Sequence, residues 1–133
     1  MADPTFPLTT FPVHLGLGAT AHVLSAIDGT PAWYERYTAD TVADGLEGRL
    51  VSMYTFDAPW GMWEMHPNGH ELVLCVAGSI TLHQQREGVT TTVTLTPGEA
   101  VINEPGVWHT ADVEGSCTAV FVTAGVGTEV RGR

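Results

Sequence analysis

No lysine occurs anywhere in the 133 residues, and the five basic side chains, all arginine, stand against 15 acidic ones for a formal charge of −10. Binding to phosphate backbones or anionic lipid surfaces draws on clustered Lys and Arg, so neither nucleic acid nor a membrane is expected as a partner. Charge of either sign is sparse: 15% of residues are charged and 44% are hydrophobic, a balance too apolar for a disordered chain. No apolar run reaches the roughly 18 residues of a membrane-spanning helix. The opening MADPTFPLTTFP lacks the basic flank and apolar stretch of a secretory signal, which makes a cytoplasmic location the expectation. Cysteine is scarce as well. Cys75 and Cys117 lie in the strand-like runs LVLCVA and CTAVFV, where they read as small buried hydrophobes, and no close Cys pair makes a zinc site. Neither a G-x-S-x-G elbow nor a Gly-rich phosphate loop is present, so hydrolase triads and nucleotide binding find no support.

What the chain does have is 18 threonines and 15 valines, with 15 glycines and eight prolines, the composition of many short strands joined by turns. The length suits one domain with one core. Strands are predicted over 21–27, 49–56, 61–66, 70–77, 79–86, 89–95, 99–103, 107–112 and 117–123, with turn signals such as Glu87-Gly88, Pro97-Gly98 and Pro105-Gly106 between them. That spacing points to an all-β sandwich or barrel. A short helix is credible only over 31–44. Residues 1–20, with Pro4, Pro7 and Pro12 around Phe6 and Phe11, read as an extended arm pinned by its aromatic rings.

The densest chemistry is Trp60-Gly-Met-Trp-Glu-Met-His-Pro-Asn-Gly-His-Glu71. Asn68-Gly69 between two strand-like runs is a strong hairpin signal, because a type I′ turn needs positive φ at both central residues. Counted outward from that turn, His66 faces Glu71 and Glu64 faces Val73. Since opposed residues share a face and neighbours alternate, Glu64, His66 and Glu71 stand together and His70 stands opposite. Two carboxylates and an imidazole on one interior face would suit a divalent cation, whereas on a solvated hairpin edge they would simply face water. His109 follows a Pro-Gly turn and shares a face with Val107 and Ala111, as a hydrogen-bonded core histidine or as a fourth ligand. Met62, Val73, Cys75 and Val107 fall on the proposed ligand face and are candidate pocket residues, while Trp63 and Trp108 alternate away from it. His83 reads as solvent-facing; His14 and His22 show no partner spacing.

These residues resemble the cupin superfamily, whose first motif reads G-x5-H-x-H-x(3,4)-E-x6-G and second G-x5-P-x-G-x2-H-x3-N. Gly61, Glu64-x-His66, Glu71 and Gly78 match the first, with Glu64 at the first histidine's place and Gly61 two residues before it instead of five. Gly98 and Gly106-x2-His109 match the second, with Pro105 one place late and Val113 where asparagine would stand. The resemblance covers about residues 49–123. It implies a double-stranded β-helix, or jelly-roll barrel, and makes Glu64, His66, Glu71 and His109 the metal-ligand positions. The Glu64 departure gives two carboxylates and two histidines, a set that favours hard ions such as Mn or Fe(II) without excluding Zn, Ni or Cu. Glu64 is alternatively an acid or base at an empty site, and His70 a rival ligand to Glu71. The resemblance also implies a small organic molecule beside the metal and a homodimer, with the proline-rich arm a candidate for crossing to the partner. Dioxygenase chemistry is the first expectation for an enzyme; isomerase, lyase and cyclase activities, or binding and sensing without turnover, are the alternatives.

Overall fold

A computed structural model describes residues 4–133. Among the described residues eleven strands build two antiparallel sheets that face each other as a β-barrel. They are β1 Val13–Gly16, β2 Thr20–Val23, β3 Arg49–Phe56, β4 Met62–Met65, β5 Glu71–Gly78, β6 Ile80–Arg86, β7 Val89–Leu95, β8 Ala100–Asn103, β9 Trp108–Asp112, β10 Cys117–Thr123 and β11 Glu129–Gly132. One sheet runs β2-β1-β3-β10-β5-β8 and the other β11-β4-β9-β6-β7. Strand-forming residues dominate where expected: β7 is VTTTVTL, whose branched side chains suit a pleated surface. The predicted strands at 49–56, 89–95 and 117–123 coincide with β3, β7 and β10.

The amino-terminal segment departs from the expected arm. Residues 13–23 form a β1–β2 hairpin on the edge of the larger sheet, where Val13, His14 and Leu15 pair with Val51, Leu50 and Arg49 of β3. The helix α1 spans Pro31–Asp40. Thr30 caps it by accepting from the Trp33 N–H, and Pro31 at the first position needs no hydrogen-bond donor there. A 3-10 turn, Val42–Asp44, follows. His14 ties this helical segment to β1. Its Nε2 lies 2.6 Å from the Asp44 carboxylate, which can only accept, so Nε2–H donates; Nδ1 then accepts from the Tyr37 hydroxyl at 2.7 Å. The His14 side chain therefore has two partners, though its sequence neighbours showed none.

The Asn68-Gly69 hairpin does not form. β4 pairs with β9 and β11, β5 pairs with β10 and β8, and residues 66–70 carry the chain from one sheet to the other. Neither Asn68 nor Gly69 has positive φ. The small residue serves close packing instead, since a Cβ on Gly69 would lie 2.3 Å from the Ala124 Cβ. Asn68 bonds the Val126 carbonyl through its side-chain amide.

Val73, Cys75, Ile80, Leu82, Leu95, Ala111, Cys117 and Ala119 fill the interior at one end. Cys75 and Cys117 are free buried thiols, as expected, and burial with the neighbouring Cys75 pushes the Cys117 thiol up to about 11.

Candidate metal centre

At the other end of the same strands the inward-facing residues turn polar. Glu64 on β4 sits directly opposite His109 on β9, so both point to one side of the smaller sheet. His66 follows β4 where the chain begins its crossing, and its carbonyl accepts from Gly106 N–H at 3.0 Å. From the facing sheet Glu71 enters at the start of β5, opposite Thr123 of β10 and Asn103 of β8. The four residues of the expected ligand set thus meet, but across the barrel and not across a hairpin. His70 is exposed, and His22 lies on an exposed edge strand.

The hydrogen bonds behind the two histidines fix their tautomers. His109 Nδ1 lies 3.2 Å from the Val107 carbonyl, an acceptor, so Nδ1 carries the proton. His66 Nδ1 lies 2.8 Å from Thr128 Oγ1, and the Thr128 hydroxyl already donates to the Gly125 carbonyl at 2.7 Å. The threonine oxygen must therefore accept, and His66 also carries its proton on Nδ1. Nε2 of each ring then faces inward, and in the neutral ring it carries a bare lone pair. Each Nε2 is buried without a hydrogen-bond partner, even though Glu71 oxygens stand 3.1 Å from His66 Nε2 and 3.2 Å from His109 Nε2. A neutral Nε2 and a carboxylate at that distance repel, so each contact calls for a proton or a metal ion between the two atoms.

Glu71 is fixed in place by its neighbours. It accepts from Thr123 Oγ1 at 2.6 Å and from Asn103 Nδ2 at 3.1 Å, while Asn103 in turn accepts from Gln84 at 2.7 Å. Burial by itself would raise the Glu71 carboxyl, but His109 and His66 outweigh it and hold the group well below the ordinary carboxylate range. Glu64 behaves oppositely: the low-dielectric wall and the Glu71 charge raise it, against the pull of both histidines. For His109, burial opposes protonation and the two glutamates favour it more strongly, for a net rise. Ligand atoms of Glu64, His66 and His109 all lie within 4.8 Å of one another and could hold a metal ion. Two imidazoles with inward lone pairs, fixed from behind by a carbonyl and a threonine, fit a divalent cation.

A cavity of about 1190 Å³ opens beside the cluster. Its walls include Tyr34 of α1, Tyr54 and Phe56 of β3, Trp60, and Phe121 of β10, with Glu64, His66 and Glu71 at the polar end. Of the four expected pocket residues, Met62 lines it. Val73, Cys75 and Val107 do not: all three are buried, and Val73 and Cys75 belong to the packed core. Alternation gave their face correctly, but not their depth along the barrel. Tyr34, Asn103, Thr123 and Thr128 escaped the sequence reading because hydroxyls and amides carry no spacing signal of their own. Trp63 and Trp108 lie away from the cavity under Arg131, whose guanidinium sits 5.3 and 4.4 Å from their ring centroids. His83 is not a plain surface residue, since it bonds Asp112 at 2.7 Å and Thr92 at 2.9 Å.

Two facing antiparallel sheets around a buried cluster of histidines and carboxylates define a β-barrel protein with a side-chain cluster that could hold a metal ion. The comparisons place the chain more narrowly. Residues 56–125, just over half of the sequence, match the Cupin_2 model, described as a cupin domain, and the chain belongs to that family. No curated protein matches it. Among solved structures, a conserved double-stranded β-helix protein from Klebsiella pneumoniae is 21% identical with a TM-score of 0.52, over 64% of this chain and 76% of that one. Peruvianin-I, a cysteine peptidase from Thevetia peruviana latex, is 18% identical with a TM-score of 0.56, over 99% of this chain and 73% of its own. A cupin-2 domain protein from Shewanella frigidimarina shares 19% identity, with a TM-score of 0.47 over 56% of this chain and 69% of that one. At these identities the likeness is one of fold. No helix is long and apolar enough to cross a membrane among the described residues.

Proposed function

We propose that the chain binds one divalent metal ion through His66, His109, Glu64 and Glu71, and a small organic molecule in the adjoining cavity. The observation that carries this reading is the pair of buried Nε2 atoms, without hydrogen-bond partners, aimed at the same carboxylates. A bound ion would supply Lewis acidity or, as iron, the electrons of oxygen chemistry. Two histidines with one carboxylate are the set on which non-haem Fe(II) oxygenases are built, so an oxidation of the dioxygenase type is the activity to assay first.

The protein's own groups have separable tasks in this reading. Val107 and Thr128 hold the imidazoles in the ligating tautomer. Thr123 and Asn103 fix Glu71. Glu64, with 40% of its side chain exposed and its carboxyl raised, is the most open carboxylate of the cluster and would exchange a proton with a bound molecule only where it does not hold the ion. Elemental analysis of untagged protein, followed by thermal melts with Mn, Fe, Ni, Zn and Cu, tests the proposal. About one ion per chain, or a higher melting temperature with one of these metals, is expected. Neither occurring would sink it.

A further inference from the structure

The absence of lysine has a consequence inside the barrel. The five arginines are the only permanently cationic side chains of the sequence, and all are engaged elsewhere. Arg36 pairs with Asp40 at 3.7 Å on α1, and Arg49 donates to the Glu47 and Gly48 carbonyls. Arg86 pairs with Glu104 at 2.6 Å. Arg131 covers Trp63 and Trp108 and bonds Gln85, and Arg133 pairs with Asp112 at 2.8 Å. None of them lines the cavity, whereas Glu35, Asp57, Glu64 and Glu71 do. His14 reaches the cavity wall with both ring nitrogens occupied by Asp44 and Tyr37.

An anion entering such a space meets carboxylates with no arginine or lysine to offset them. A dication held by Glu64 and Glu71 would leave a centre of zero formal charge, which adds no net positive charge to draw in a polyanion. The walls favour a flat apolar body: Phe56, Trp60 and Phe121 pack mutually with ring centroids 5.5 to 6.0 Å apart. Across the cavity the Tyr34 and Tyr54 hydroxyls are hydrogen-bonded to each other. One of the two spends its proton on its partner, and the other has a proton left for an acceptor. Burial raises both phenols, which keeps that donor available at neutral pH.

We propose that the cavity selects a planar, mostly apolar molecule carrying a single oxygen function, such as a phenol or aryl ketone, and rejects phosphorylated and polycarboxylic compounds. The placement of the oxygen function at the polar end rests on the metal reading above; the rejection of multiple negative charge does not. Calorimetric titration of the full chain with 2-naphthol and with 2-naphthyl phosphate, Zn²⁺-loaded and metal-free, separates the two. In the loaded protein 2-naphthol binds, and in both forms the phosphate ester binds at least about tenfold more weakly than the phenol. Replacing Glu35, an exposed lining residue of α1, by arginine (Glu35→Arg) narrows that gap by improving phosphate-ester binding, with 2-naphthol little changed. Phosphate-ester binding as tight as that of 2-naphthol in the unaltered protein, or no response to Glu35→Arg, overturns the proposal. Failure of Zn²⁺ itself to bind defeats the metal reading alone, because the metal-free titration still decides the charge selection.

Discussion

The two ends of the barrel are built from the same strands and differ in what their inward residues find to touch. Along β10 the interior positions run Cys117, Ala119, Phe121, Thr123; along antiparallel β5 they run Glu71, Val73, Cys75. Cys117, Ala119, Val73 and Cys75 meet apolar neighbours and pack. Toward the other end, Thr123, four residues beyond Ala119, and Glu71, two residues before Val73, meet each other, and Glu71 meets the histidines. One end is closed by burial. The other is held by hydrogen bonds around charges that burial alone would not stabilise. A strand's period of two thus assigns a face, while position along the barrel axis decides whether that face means core or site.

Substitutions at the two ends should separate stability from binding. Leu82→Ala, at a fully buried core position, should cost about 2–5 kcal/mol in denaturant unfolding and leave metal stoichiometry of the folded fraction unchanged. His109→Ala should show the reverse pattern. It removes a ligand, so the added stability at hundredfold excess ion over Kd, about 2.7 kcal/mol, should vanish from melts with metal. Thr128→Val keeps the shape but deletes the acceptor that fixes His66, and metal affinity should fall about 10- to 100-fold by titration. His14→Ala cuts the tie between β1 and the helical wall and should cost about 1–2 kcal/mol, read as earlier hydrogen exchange in residues 31–44. The smallest effect belongs to exposed His70: His70→Ala should change stability by less than about 0.5 kcal/mol and leave metal affinity intact. A loss of metal with His70→Ala would shift the centre toward the crossing segment.

Much of this was legible in the sequence, partly for a reason that did not hold. The spacing of Glu64, His66, Glu71 and His109 grouped residues that do meet. The local argument for that grouping assumed a hairpin at Asn68-Gly69, and the chain instead crosses between sheets. The signal misled because Asn-Gly also serves a crossing, where Gly69 lies against Ala124 and the Asn68 amide reaches Val126. The β1–β2 pairing went unread because β1, only four residues long, lies between Pro12 and a Gly16-Leu-Gly18 stretch that breaks any alternation, although β2 overlaps the strand expected over 21–27. β11 is similarly short, and its Arg131 and Gly132 do not resemble a strand. Both edges form because β3 and β4 offer them unpaired backbone, a tertiary cause with no local trace.

The central claim is that His66 and His109 present unprotonated Nε2 atoms to a shared cation site. Nitrogen-15 NMR of the histidine rings, in metal-free protein and after one equivalent of Zn²⁺, observes this directly. Both residues should appear as the Nδ1–H tautomer without metal, and their Nε2 resonances should move together when zinc is added, with those of His22 and His70 unmoved. Protons on Nε2 in both rings, or Nε2 resonances indifferent to zinc, would contradict the account.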